Sequence, residues 1–222
     1  MLYEGLSALL SQSAVAGVRN GADVLLKTLF LTLGGRNGLF LFGLALLGTG
    51  TLLIWRDIQR HPGRLQRRIL GLMLIESLVY AALLGGVVSA LTSLVLHPVL
   101  ALAQGPAGAP ASMPLVTQLV VSLGAGIYEE LLFRVLLVSG FTILLLQAGV
   151  PRHPAVIVAV AASALIFSAF HYVGPFGDRL NLASFTFRVI AGLVFSAMYV
   201  SRGLGITAWA HALYDVGLSL LA

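Results

Sequence analysis

The chain has 222 residues, 59% of them hydrophobic and only 9% charged, whereas a soluble domain carries about 25% charged residues. That balance excludes a disordered chain and a soluble nucleic-acid binder, and the absence of cysteine excludes a disulfide scaffold, a thiolate metal site and a cysteine nucleophile. Thirteen Lys and Arg against eight Asp and Glu leave a formal charge of +5, but most of the excess sits in one short loop and reads as membrane topology, with no nucleic-acid partner implied.

The composition predicts an all-α fold: a polytopic membrane helix bundle of about six to eight membrane helices, with its site inside the bundle and lipid as its outer solvent. The opening MLYEGLSALL has no basic stretch before its apolar part, so no cleavable signal peptide is predicted. Apolar runs in residues 1–36 are broken by Arg19, Lys27 and Arg36. They predict an interfacial amphipathic helix or at most one weak extra span. Residues 38–55 and 69–96 are long enough to cross, since a spanning helix needs about 20 apolar residues. Residues 115–149 run apolar except for Glu129, Glu130 and Arg134, and spans at 155–171, 185–201 and 204–222 follow. The chain divides into an N-terminal membrane region, 1–113 (an interfacial helix plus two spans), and a second membrane domain, 114–222. Gly192 and Ser196 form a small-xxx-small pair of the kind that serves helix packing.

The loop from Arg56 to Arg68 carries five arginines against Asp57 and is predicted to face the cytoplasm, which makes the protein a multi-pass component of the cell membrane. The loop 97–114 has no charge and four prolines and is predicted to be external. Alternation then puts Arg152 and Arg202 on the cytoplasmic side and Asp178, Arg179 and Asn181 outside.

An ionisable group at the centre of a membrane helix costs roughly 2.5–3.5 kcal/mol on insertion scales, so such groups face inward and need partners. The chain pays this cost in a regular pattern. Glu130 and Arg134 are spaced i,i+4 in the favourable order, as are Phe167 and His171, and His211 and Asp215. Glu130 with Arg134 reads as a structural ion pair that makes a buried charge tolerable. Glu129 lies about 100° around the helix from Glu130 and has no partner on its own helix. Such a carboxylate can take a proton from water. His171 and His211 can hold that water or a developing oxyanion, and Asp215 can accept from His211 or brace a neighbour. One Glu with two His, here Glu129, His171 and His211, is also a possible zinc set if a metal is used. His61, His97 and His153 lie beside loops and prolines and read as ordinary solvated histidines. Glu76 stands alone in its span with no role predicted.

These three clusters, Glu129-Glu130-Leu-Leu-Phe-Arg134, Phe167-Ser-Ala-Phe-His171 and His211-Ala-Leu-Tyr-Asp215, resemble in order and spacing the EExxxR, FxxxH and HxxxN/D motifs of the CAAX protease and bacteriocin-processing family. The resemblance covers about residues 114–222. It implies an intramembrane endopeptidase acting on a peptide or membrane-protein substrate, which in the CAAX prenyl endopeptidases is prenylated. It makes Glu129 the base that activates water, His171 its assistant, and His211 with Asp215 the support of the oxyanion; Glu130, Arg134 and Phe167 are structural. Where the eukaryotic prenyl proteases have Asn, this chain has Asp215. An ionised Asp cannot donate to an oxyanion, so Asp215 is either protonated or orients His211. The family's residues suit a metal-free glutamate mechanism as well as a zinc one.

Other readings have less in their favour. An aspartyl intramembrane protease needs two facing aspartates, but Asp178 sits in a polar loop beside Arg179. A serine protease built on Ser168 lacks a Gly-rich nucleophile turn. Buried Glu and His chains also occur in proton-coupled transporters, yet no inverted repeat is visible. In a non-catalytic immunity or scaffold protein the clusters would serve stability alone. Straight alternating spans would not bring Glu129, His171 and His211 together, and the 115–149 run would be about 52 Å long against a hydrocarbon core of about 30 Å. A tilted, kinked or projecting helix is therefore expected there.

Overall fold

The computed structural model describes residues 2–10, 19–60, 67–100, 114–173 and 177–221. Among these there is no strand, and the protein is a multi-pass helical membrane bundle. Its helices are α1 (Leu2–Leu10), α2 (Gly21–Gly34), α3 (Gly38–Arg60), α4 (Arg67–Leu100), α5 (Leu115–Gly124), α6 (Ser139–Gln147), α7 (Arg152–Phe170), α8 (Leu182–Arg202) and α9 (Leu204–Leu221). Five segments are long and apolar enough to cross a membrane: Gly21–Thr51, Arg68–Leu96, Arg152–Phe170, Leu182–Arg202 and Leu204–Leu221.

The bundle is inside-out in polarity. Large apolar side chains such as Phe40, Leu94 and Ile157 are exposed, while Glu129, Glu130, Arg134 and His211 are buried. Water would not tolerate so much exposed apolar surface, but lipid covers it at no cost. Two apolar clusters flank the buried charge. Leu84 and Val88 of α4 meet Phe195 and Met198 of α8 and Ile206 and Ala210 of α9. On the other side Tyr3, Ala22, Leu26 and Phe42 from the first three helices meet Val120 and Tyr128.

The long run 115–149 is not a simple α-helix. It is helical from Leu115 to Gln147, but Ala125–Glu129 and Leu131–Val138 are wound as π-helix; the Ser139 N–H, for example, reaches back five residues to the Arg134 carbonyl. Wide turns of this kind tend to occur at functional sites. Here they carry Glu129 and Arg134, with Glu130 between them.

Residues 1–36 are more integrated than a separate interfacial helix. The Gly35–Asn37 turn, with Gly35 at φ 53°, folds α2 back on α3. A Cβ on Gly38 would lie 2.4 Å from the Phe30 carbonyl oxygen, so only glycine allows that approach. Phe30 and Phe42 meet across the hairpin with ring centroids 5.3 Å apart. Two of the cations that interrupted the apolar runs are paired with carboxylates: Arg19 with Asp23 at 3.0 Å, and Lys27 with Asp23 at 2.7 Å and with Glu4 at 2.9 Å.

Helix ends follow local chemistry. Asn181 caps α8 by accepting from the N–H groups of Ala183 and Ser184, and Gly203 at φ 83° ends it. Gly192 packs on α7, where an added Cβ would lie 3.0 Å from Ala164 Cα, and Ser196 bonds back to the Gly192 carbonyl. Helix α3 continues through Arg60 and α4 through Leu100, further than the loop boundaries predicted from charge and proline. The rest of the two predicted loops, 61–66 and 101–113, lies outside the described residues.

Candidate active site

The candidate site lies where the π-wound segment, the end of α7 and the middle of α9 meet. Two glycines make the approach possible. A Cβ on Gly126 would fall 2.5 Å from the Ala208 carbonyl oxygen and 2.7 Å from Ala212 Cβ, so α9 packs directly on the backbone just ahead of Glu129. A Cβ on Gly124 would fall 2.5 Å from the Tyr3 ring and 2.8 Å from Asn20 Cβ, so the N-terminal segment seats on the same turn from the other side.

Glu129 is 7% exposed and lies within electrostatic range of both His171 and His211. His171 follows the last residue of α7; its Nδ1 is 2.8 Å from the Phe167 carbonyl oxygen, which leaves Nε2 free for other chemistry. The Phe167 ring packs near both imidazoles, with centroids 4.9 Å from His171 and 6.3 Å from His211. His211 is stacked on Phe195 at 4.3 Å. Its Nδ1 lies 2.7 Å from Glu130 Oε1, while its Nε2 is 3.6 Å from Asp215 Oδ2, beyond hydrogen-bond reach. The short contact that orients His211 therefore comes from Glu130 on the π-wound segment, and Asp215 stays nearby and half-buried.

The second carboxylate oxygen of Glu130 faces Arg134 Nε at 3.1 Å. The approach is off the hydrogen-bonding line, and none of the guanidinium nitrogens has a hydrogen-bond partner among the described residues. Arg134 is instead clamped between two rings, 4.7 Å from the centre of Phe167 and 5.2 Å from that of Phe195. Coulomb attraction and cation–π contact hold this fully buried charge.

Sequence reasoning missed two contributors. Phe195, on α8, touches both His211 and Arg134 but belongs to an ordinary apolar stretch. Asn20 donates from Nδ2 to Glu129 Oε1 at 2.7 Å. Its place before Gly21-Ala-Asp23 marks a helix start, yet nothing nearby in sequence points to its partner. Glu76 also has a partner: Arg202 of α8 grips it with two contacts of 2.6 Å.

Among the described residues no three His, Asp or Glu side chains are grouped to hold a metal. In particular, Glu129 Oε1 is taken by Asn20 and His211 Nδ1 by Glu130.

Residues 111–217, a little under half of the chain, match the family model described as type II CAAX prenyl endopeptidase Rce1-like. The match spans all three motifs. No curated protein and no solved structure matches the chain.

Proposed function

We propose that this chain, whose C-terminal part is an Rce1-like CAAX protease domain, is an endopeptidase that cuts a membrane-associated protein or peptide, prenylated as the family's description indicates, by a water activated at Glu129. The observation that carries the reading is the convergence of Glu129, His171 and His211 from three separate helical segments on one buried spot.

In this reading Glu129 takes a proton from water as the oxygen adds to the peptide carbonyl carbon. His171 Nε2 and His211 Nε2 face the oxygens of the adduct; with each Nδ1–H already donated to the Phe167 carbonyl or to Glu130, Nε2 carries an N–H only in the protonated ring, and in that form it stabilises the negative charge as it forms. The Glu130 carboxylate fixes His211 by holding Nδ1–H, which leaves the other nitrogen for the reaction. When the adduct collapses, the carbon–nitrogen bond breaks and the amine leaves with the proton that Glu129 had stored. Asp215 supports His211 electrostatically. Chelators leave the rate unchanged on this scheme; loss of activity with EDTA and recovery with zinc would replace it with a metal mechanism.

The test is cleavage by purified protein of a peptide ending in a farnesylated CAAX sequence, beside its unprenylated counterpart and a mixed peptide library. Wild type is expected to cut, and Glu129→Gln to lose activity while staying folded. A wild type that cuts nothing favours a scaffold or transporter role, and a Glu129→Gln variant that cuts normally removes Glu129 as the base. The arginine bias also supports placing the Arg56–Arg68 loop in the cytoplasm and the 97–114 loop outside, in the cell membrane; reporter fusions at Gly63 and Gly108 reporting the same side would break that topology.

A further inference from the structure

We infer that Asn20, outside the family-matched residues, is a positioning residue that aims Glu129, so that the N-terminal helices complete the site; this rests on the reading of Glu129 as the base. Three observations support it. Asn20 is 5% exposed and Glu129 7%, so their 2.7 Å hydrogen bond is shielded from water. The amide cannot turn: Oδ1 accepts from the Ala22 N–H at 2.9 Å as the cap of α2, which leaves only Nδ2 to face the carboxylate. The backbone is fixed as well. The Asn20 N–H donates to Tyr3 Oη at 3.0 Å, and Tyr3 Oη donates to Asp23 at 2.9 Å. Asp23 is in turn held by Arg19 and Lys27. The next residue, Gly21, lies against the Phe170 ring, where a Cβ would come within 3.2 Å, one residue before His171.

This chain of contacts has a chemical consequence. A base works only in the orientation that presents its free oxygen to water. With Oε1 held by an amide donor, Glu129 Oε2 is left for the proton, and the side chain does not sweep through its rotamers. Asn20 is neutral, so it holds the carboxylate without the full counter-charge that would make it a poor proton acceptor. On Glu129's own helix the cation, Arg134, is turned to Glu130 instead.

The experiment separates cap from aim. Asn20→Ser keeps a good helix cap but is too short to reach Glu129. Asn20→Asp keeps the cap and the size but sets a second carboxylate against the first. Asn20→Ser is expected to keep the wild-type melting temperature and KM while kcat falls about 10- to 100-fold, as misplacement of a reacting group by about 1 Å can cost 10²-fold. Asn20→Asp is expected to lower the melting temperature, and the Asn20→Asp/Glu129→Gln double variant, which swaps donor and acceptor, to restore it without restoring cleavage. Kinetics use the best-cleaved peptide of the library. Full kcat in Asn20→Ser beside an inactive Glu129→Gln overturns the positioning role alone. A double variant no more stable than Asn20→Asp overturns the hydrogen bond. A wild type that cleaves no peptide overturns the proteolytic reading, an active Glu129→Gln overturns Glu129 as the base, and either takes the positioning role with it.

Discussion

The carboxylate of Glu130 and the imidazole of His211 meet at 2.7 Å across two helical segments, although 81 residues separate them in the chain. The same carboxylate faces Arg134. One side chain thus orients a site histidine and neutralises a buried cation, and the two tasks fail together when it is altered. Glu130→Gln is expected to lower thermal stability, because Arg134 loses its counter-charge, and to lower kcat, because His211 loses the carboxylate that fixes its tautomer. Glu129→Gln should lower kcat only. Melting curves and cleavage rates on the two variants check the contrast, and equal stability would show that Glu130 is not the counter-ion of Arg134.

Among the described residues Arg134 has no hydrogen-bonded partner, and it leans on ring faces. Arg134→Ala strands the Glu130 charge in the interior, which for a buried pair costs about 3–5 kcal/mol. Arg134→Lys keeps the charge but loses the planar stacking on Phe167 and Phe195, so it should fall between wild type and Arg134→Ala. Detergent melting temperatures order the series. A lysine variant as stable as wild type would mean that charge alone matters and the rings do not.

The polar chemistry of this bundle was legible where it is local. The i,i+4 pairs Glu130–Arg134, Phe167–His171 and His211–Asp215 share helix faces by the period of the helix, and intramembrane charge draws attention to them. The all-helical membrane fold followed from composition in the same way. What stayed hidden is contact between distant segments. Asn20 meets Glu129 across 109 residues, and Glu76 meets Arg202 across 126, and no periodicity encodes either pairing. The π-wound turns were hidden for another reason: an all-apolar run gives the same hydropathy whether its N–H groups reach back four residues or five. Only the misfit of a 52 Å run to a 30 Å core hinted at them.

Gly126 tests whether close helix approach governs the site. An alanine there must push on the Ala208 carbonyl and on the Ala212 backbone N–H, 3.0 Å away, and neither can swing aside as a flexible side chain would. Helix α9 carries His211 one residue before Ala212, so the push is delivered to the site. Gly126→Ala is expected to cost about 1–3 kcal/mol, the usual range for overpacking, and to reduce cleavage more than tenfold by displacing a reacting group. Gly86 in α4 has nothing within 4 Å of its would-be Cβ, so Gly86→Ala should be neutral or slightly stabilising. Activity and melting temperature of the two alanine variants decide it, and a fully active Gly126→Ala would show that α9 has room to move.

The strongest quantitative expectation concerns coupling. If Glu129, His171 and His211 act on one water and one adduct, each single loss removes most of what the set provides. General base assistance contributes about 10²–10⁴-fold, and one oxyanion donor about 10²–10³-fold. Glu129→Gln, His171→Ala and His211→Ala should therefore each bring cleavage close to background. Independent contributions would multiply, so the Glu129→Gln/His171→Ala variant would lie several decades below either single one. Groups that act as a unit behave differently, and the double variant should be little worse than the worse single one. Phe167 offers a structural control, since its ring packs near both imidazoles and also carries Arg134: Phe167→Leu should lower stability and activity together, unlike Glu129→Gln. Single-turnover rates for the three single variants and the Glu129→Gln/His171→Ala double variant make the comparison. Multiplicative losses would mean that the carboxylate and the imidazole serve different steps, with no shared water between them.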